Sequence, residues 1–126
     1  EIGEKYFFGD TGIRNVIAGY NLADVHKMLE NIVFLHLRTA GYEVTVGSEN
    51  GKEIDFIASR GGERIYVQVA YLLEKPETAQ HEFGNLLGIS DNYPKYVVTM
   101  DELNETSSYQ GIQRMHVKDF CRMMAG

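Results

Sequence analysis

The pattern of apolar and polar positions is clearest between Glu53 and Tyr71, where two alternating runs rich in Ile, Val and Tyr flank Gly61-Gly62. Period-two alternation marks a half-buried strand, and a Gly pair accepts the positive φ angles of a two-residue hairpin turn. With the glycines as the turn, Arg60 faces Glu63, Asp55 faces Gln68 and Glu53 faces Ala70. Ile54, Phe56, Val67 and Val69 are then expected on one face of the hairpin. Glu53, Asp55, Gln68 and Ala70 are expected on the other, with Ile57 and Tyr66 beside them.

Upstream, Leu22, Val25, Leu29, Ile32, Val33, Leu37 and Ala40 recur at helical spacing, with Asn21 as N-cap, Asp24 in the first turn and Gly41 as the stop. Phe34 and Leu35 widen this stripe, which predicts a helix covered on more than one side. At about 100° per residue, Glu30 sits roughly 90° from the centre of the stripe, at the border of the buried face. Tyr42 to Gly47 alternates as a strand, and Ser48 to Lys52 is read as a turn into the hairpin. Downstream, Pro76 opens a second helix with Ala79, Phe83, Leu86 and Leu87 on one face and Gly88 near its end. Asn92-Tyr93-Pro94 turns the chain into the apolar run Tyr96 to Met100, a buried strand reached by a right-handed crossover to a parallel neighbour. Asp101 to Gly111 reads as a polar loop, Ile112 to Val117 as one more strand, and Asp119 to Met124 as a helical turn with Phe120 and Met123 inward.

The order helix, three strands, helix, strand predicts an α/β domain with a mixed sheet and flanking helices. Residues 1–126 form a single domain on this reading. Residues 1–20 are an adaptor strand (Lys5 to Phe8) and helical turn through Ile13, Val16 and Ile17, 21–100 the core, and 101–126 a closing strand and helix.

Composition changes this picture little: 126 residues, 44% hydrophobic and 24% charged, suit one globular core. The net charge of -6 does bear on function, because residues 1–63 carry six basic and ten acidic side chains and residues 64–126 six and eight. Neither half is a basic arm of the kind that neutralises phosphates, which argues against strong non-specific nucleic-acid binding and leaves room for a small local patch. A lone Cys121 excludes an intrachain disulfide, and no apolar run is long enough to span a membrane, so a cytoplasmic location and no membrane partner are expected. The chain opens at Glu1 without an initiator Met, and a piece of a larger protein is expected.

Gly47-Ser48-Glu49-Asn50-Gly51-Lys52-Glu53 departs from a P-loop. Three residues separate its glycines, Glu follows the Lys, and a strand follows in place of a helix, so no nucleotide is expected on this domain. Asn104-Glu105-Thr106 matches the glycosylation pattern and reads as an ordinary loop. His26, His36, His81 and His116 are scattered without zinc-ligand spacing and are read as part-exposed or hydrogen-bonded side chains. Cys121 is read as core packing. Glu30, Asp55 and Gln68 remain. Oxygen ligands from a helix and two adjacent strands suit a hard divalent cation, magnesium or manganese, which would polarise a phosphodiester and activate water. The alternative stays open that Glu30 is a solvated helix edge, Asp55 a hairpin-border acid and Gln68 its cross-strand partner.

The element order, with an acid on the first helix and another in the second strand, resembles the PD-(D/E)xK nuclease-like fold of restriction endonucleases and Holliday-junction resolvases. Lys5-Tyr6-Phe7-Phe8-Gly9-Asp10-Thr11-Gly12-Ile13-Arg14, Leu29-Glu30-Asn31-Ile32-Val33, Glu53-Ile54-Asp55-Phe56 and Tyr93-Pro94-Lys95-Tyr96-Val97-Val98 resemble the C-terminal domain of unknown function of bacterial and archaeal AAA-type ATP-binding proteins. The resemblance covers nearly the whole chain and implies a restriction-endonuclease-like αβββαβ core with an ATPase module and a winged-helix segment upstream. It implies that Glu30 matches the helical acid and Asp55 the metal-binding acid. The third element should be Glu-x-Lys or Gln-x-Lys, and here it is Gln68-Val69-Ala70. Gln68 can still offer a carbonyl oxygen. Ala70 cannot replace an ammonium that would orient water or stabilise developing charge, and Lys52 and Lys75 stand only at the strand ends.

The leading expectation is a nuclease-fold domain with little or no catalysis, holding magnesium or manganese weakly if at all, and serving as a binding or assembly module of its parent ATPase. The alternatives are an active metal-dependent DNA endonuclease with a displaced lysine, and a homodimerisation module built on the Tyr-rich strands and the Tyr96 to Met100 run.

Overall fold

The structure, a computed structural model, describes residues 22–49, 52–71, 83–100 and 107–126. Its elements are α1 (Leu22–Thr39), β1 (Glu43–Glu49), β2 (Lys52–Arg60), β3 (Glu63–Ala70), a helical segment at 83–87, β4 (Lys95–Thr99), β5 (Ser107–Tyr109), β6 (Ile112–His116) and α2 (Val117–Ala125). The six strands form one mixed sheet in the order β1-β2-β3-β4-β6-β5. β3, β4 and β6 are parallel, and β2, β1 and β5 are antiparallel to their neighbours. No helix among the described residues is long and apolar enough to cross a membrane. The expected strand at Lys5 to Phe8, the helical turn through Ile17, the Asn21 cap and the start of the second helix at Pro76 lie outside the described residues.

α1 buries Val25, Leu29, Val33 and Leu37, each at most 2% exposed, against one face of the sheet. Side chains of this size stabilise by roughly 1.5–3 kcal/mol each when fully buried. The helix stops where Gly41 takes φ +95. There the Tyr42 N–H donates to the Leu37 carbonyl and the Gly41 N–H to the Arg38 carbonyl, closing the last turn in a Schellman pattern. The expectation of cover on more than one side does not hold, because Phe34 and Leu35 are 38% and 59% exposed and only one stripe is buried.

The β2–β3 hairpin turns on Gly61 (φ +54) and Gly62 (φ +89), and its pairs run from Arg60↔Glu63 to Phe56↔Val67 in the expected register. Arg60 also donates to the Ala40 carbonyl at 2.7 Å and stacks 4.4 Å from the centre of the Tyr42 ring, tying the hairpin tip to the end of α1. Pairing then departs from the count. Thr45 pairs with Ile57 but Gly47 with Ile54, so two steps along β1 match three along β2. The extra residue is a β-bulge, and it reverses the side-chain parity of β2. Ile54 therefore packs with Ile57, Tyr66 and Ala70 on the second face, and not with Phe56 and Val67 as expected. Val46 sits at the same irregularity and is 77% exposed, although the alternation placed it with Tyr42 and Val44.

The second face is covered by Phe83 and Leu86 of the helical segment and by Ile89, packed on Ile54, Tyr66, Ala70, Val97 and Ile112. Leu87, expected on the buried face with them, is 41% exposed. Two further expectations are corrected. The stretch read as a loop to Gly111 contains β5, which forms a hairpin with β6 through Gln110 (φ +49) and Gly111 (φ +88). The stretch Ser48 to Lys52 is mostly strand, with Glu49 paired to Lys52. At the end of the chain the helix starts at Val117, capped by the His116 ring, whose Nδ1 accepts the Lys118 N–H. Phe120 and Cys121 point into the core, and Met123 is 38% exposed in place of its expected inward position.

Candidate functional site

Asp55 and Gln68 meet where β2 parts from β3 while staying paired with β1. Antiparallel pairs alternate between hydrogen-bonded and non-bonded, so counting from Phe56↔Val67 the next bonded pair would be Ile54↔Val69. The bulge removes that pair. In its place the Asp55 carboxylate Oδ2 accepts the Val69 N–H at 2.8 Å, and the Val69 carbonyl accepts from His26 Nε2 on α1 at 3.0 Å. A carbonyl can only accept, so His26 carries its proton on Nε2. One step along, the Gln68 side-chain oxygen Oε1 accepts the Asp55 N–H at 2.6 Å. Asp55 and Gln68 are thus neighbours, as the count implied. They are held by side-chain bonds to backbone and not as ladder partners, and the expected Glu53–Ala70 pair does not form.

Gln68 is 2% exposed, with its carbonyl oxygen committed to the Asp55 amide. It lies between Val67 and Val69, which face α1, so its side chain leaves from the opposite face. Glu30 lies on α1, half-buried, as the helical count placed it. It is four residues from His26, which touches Val69, and four from Phe34, whose ring centre is 6.1 Å from that of Phe56. Residues four apart stack on one helix face, so Glu30 is bracketed over the end of the β2–β3 ladder. Glu30 and Gln68 approach that point from opposite sides of the sheet. No group of three or more His, Cys, Asp and Glu side chains converges to hold a metal among the described residues. Ala70 is 5% exposed and packed among Tyr66, Phe83 and Leu86. Lys75 lies outside the described residues, and Lys52 starts β2.

Sequence reasoning missed His26 as a partner in this arrangement. Its signal was available in the helical spacing from His26 to Glu30, but not the bulge that exposes the Val69 carbonyl. It also missed a polar cluster on the second face. The buried Tyr66 hydroxyl donates to Asp91 Oδ2 at 2.5 Å and receives a 3.4 Å contact from Arg64. Lys95 Nζ donates to Asp91 Oδ1, the Asp91 carbonyl and the Tyr93 carbonyl at 2.8–3.0 Å, and lies 5.4 Å from the Tyr66 ring centre. Burial pushes the Tyr66 hydroxyl above its ordinary value; Arg64 pulls against this and Asp91 adds to it. Burial would likewise push the Asp91 carboxyl up, but the Tyr66 hydroxyl, the Lys95 ammonium and the Tyr93 N–H outweigh it and hold it below the usual carboxylate range. Asp91 and Lys95 line a cleft of about 260 Å³ with Leu86, Asn92, Gln110 and Ile112 among its walls. The only sequence signal was the Asn92-Tyr93-Pro94 turn, which hid the acid and the lysine flanking it.

No family model matches the chain, and no solved structure matches it. The chain is similar to an uncharacterized protein of Haemophilus influenzae, 45% identical over 116 residues. That match covers 92% of this chain and 28% of the relative, so the chain spans less than a third of the relative's length.

Proposed function

We propose that this chain is a PD-(D/E)xK nuclease-like domain without effective catalysis, serving as a binding or assembly module within a longer, AAA-type ATP-binding polypeptide. The observation that carries the reading is the fate of the third motif element. Ala70 puts a methyl group into an apolar cluster where an ammonium would be needed, and the Gln68 oxygen beside it is bonded to the Asp55 amide. The mixed sheet, with its antiparallel hairpin followed by a helical segment and a parallel strand, supports the architectural half of the proposal. The much longer relative supports the reading of the domain as one part of a larger chain.

Magnesium or manganese, which the nuclease fold implies, does not fit the residues present. Oδ2 of Asp55 and Oε1 of Gln68 each accept a backbone N–H, Gln68 is buried, and Glu30 stands across the sheet. Asp55 and Gln68 close a defect in the ladder instead. Incubation of the protein with magnesium or manganese and single- or double-stranded DNA is expected to leave the DNA intact. Cleavage that disappears in Asp55→Asn would overturn the proposal and favour an active endonuclease with its lysine supplied from elsewhere.

A further inference from the structure

Arg114 sits on β6 directly opposite Val97 of β4 and Ser107 of β5, and Val97 is opposite Gln68 of β3. Ile112, two residues earlier, packs in the cluster on the second face, so Arg114 shares that face with Gln68, Ala70 and Val97. Strands are spaced about 4.8 Å apart, which puts the Arg114 backbone roughly 10 Å from that of Gln68 in the same row. Its Nε is buried and has no hydrogen-bond partner among the described residues. No acidic side chain pairs with it among the described residues, whereas Arg60, Lys95 and Arg122 each have one. The residue as a whole keeps part of its surface in water.

Buried donors are almost always satisfied, and one left unpaired costs about 1–3 kcal/mol. A guanidinium whose Nε is held at that cost, in a chain of net charge -6, is accounted for by an anionic ligand that engages the part of the side chain left in water. We infer that Arg114 anchors an oxyanion, a phosphate group, on the sheet face away from α1. A guanidinium fork matches such a group through paired N–H donors. The inference rests on the reading of the domain as a binding module and gives that module its ligand chemistry. The cation missing at position 70 has a counterpart two strands away, suited to hold a phosphate but not to work beside Asp55.

The test is thermal unfolding of the wild type, Arg114→Lys and Arg114→Met in inorganic phosphate against chloride at equal ionic strength. Anisotropy with labelled single- and double-stranded oligonucleotides runs alongside it. Phosphate is expected to raise the wild-type melting temperature. Arg114→Met is expected to melt no lower than wild type in chloride, to lose the phosphate response and to weaken any oligonucleotide binding about tenfold or more, with Arg114→Lys intermediate. Oligonucleotide binding that depends on Arg114 identifies a nucleic-acid backbone as the source of the phosphate; a response to inorganic phosphate alone identifies a free one. A wild type indifferent to both, an equal response in Arg114→Met, or a lower melting temperature of Arg114→Met in chloride overturns the inference. None of these results bears on DNA cleavage, so the inference and the reading beneath it fail separately.

Discussion

At the scale of single residues, Asp55 and Gln68 act on the backbone. Asp55→Ala strips the Val69 N–H of its acceptor, and Gln68→Ala does the same to the Asp55 N–H. Each is predicted to lower unfolding free energy by about 1–3 kcal/mol, measured by urea denaturation. The double variant should lose less than the two losses added, because both bonds close one defect. Asp91 sets a pH dependence. Its folded carboxyl lies below the ordinary value of 3.8, so its contribution is whole above that value and is lost as the pH falls through the folded one. Denaturation midpoints followed into acid should therefore fall less steeply in Asp91→Asn than in the wild type. Asp55 and Gln68 could be read as neighbours from the sequence because Gly61-Gly62 fixes the count. Their bonds could not, since these depend on one extra residue in β2 that alternation does not reveal. His26 and Arg114 were invisible as site residues for a related reason: each takes its meaning from a strand distant in sequence.

At the scale of elements, strong local signals carried through. The Val25, Leu29, Val33 and Leu37 stripe, the Gly41 stop and the Gly61-Gly62 turn all stand in the structure. β5 went unseen because three residues with only Tyr109 as an apolar member carry no periodicity, and its turn lacks the Asn-Gly or Gly-Gly signature. That turn holds Gln110 at φ +49, a conformation that costs a side-chain-bearing residue roughly 1 kcal/mol or more. Gln110→Gly should thus stabilise the β5–β6 hairpin modestly, by about 0.5–1 kcal/mol after the added entropy of the unfolded chain is subtracted. A raised melting temperature is the expected reading, and a fall would mean that the Gln110 side chain, which lines the cleft, contributes more than its strain. The exposed Phe34, Leu35 and Met123 show the opposite failure of pattern reading, since apolar type at helical spacing does not guarantee a cover.

At the scale of the whole molecule, the mixed sheet and the helices on it were legible in the order of elements, whereas the β2–β3 gap at Asp55 was not. The two-faced core was not, because it depends on the bulge that sends Ile54 to the side opposite Phe56. The resulting picture is a sheet whose β2–β3 gap is bridged by Asp55 and Gln68 and flanked by His26, with an apolar cluster at Ala70 and, two strands away, an Arg114 whose buried Nε has no hydrogen-bond partner among the described residues. On the proposed reading the gap is structural and not a metal centre. Calorimetric titration of the protein with manganese at millimolar concentration, repeated on Asp55→Asn, tests it most directly. No saturable heat is expected in either protein; stoichiometric binding in the wild type that is lost in Asp55→Asn would make Asp55 a metal ligand and overturn this reading.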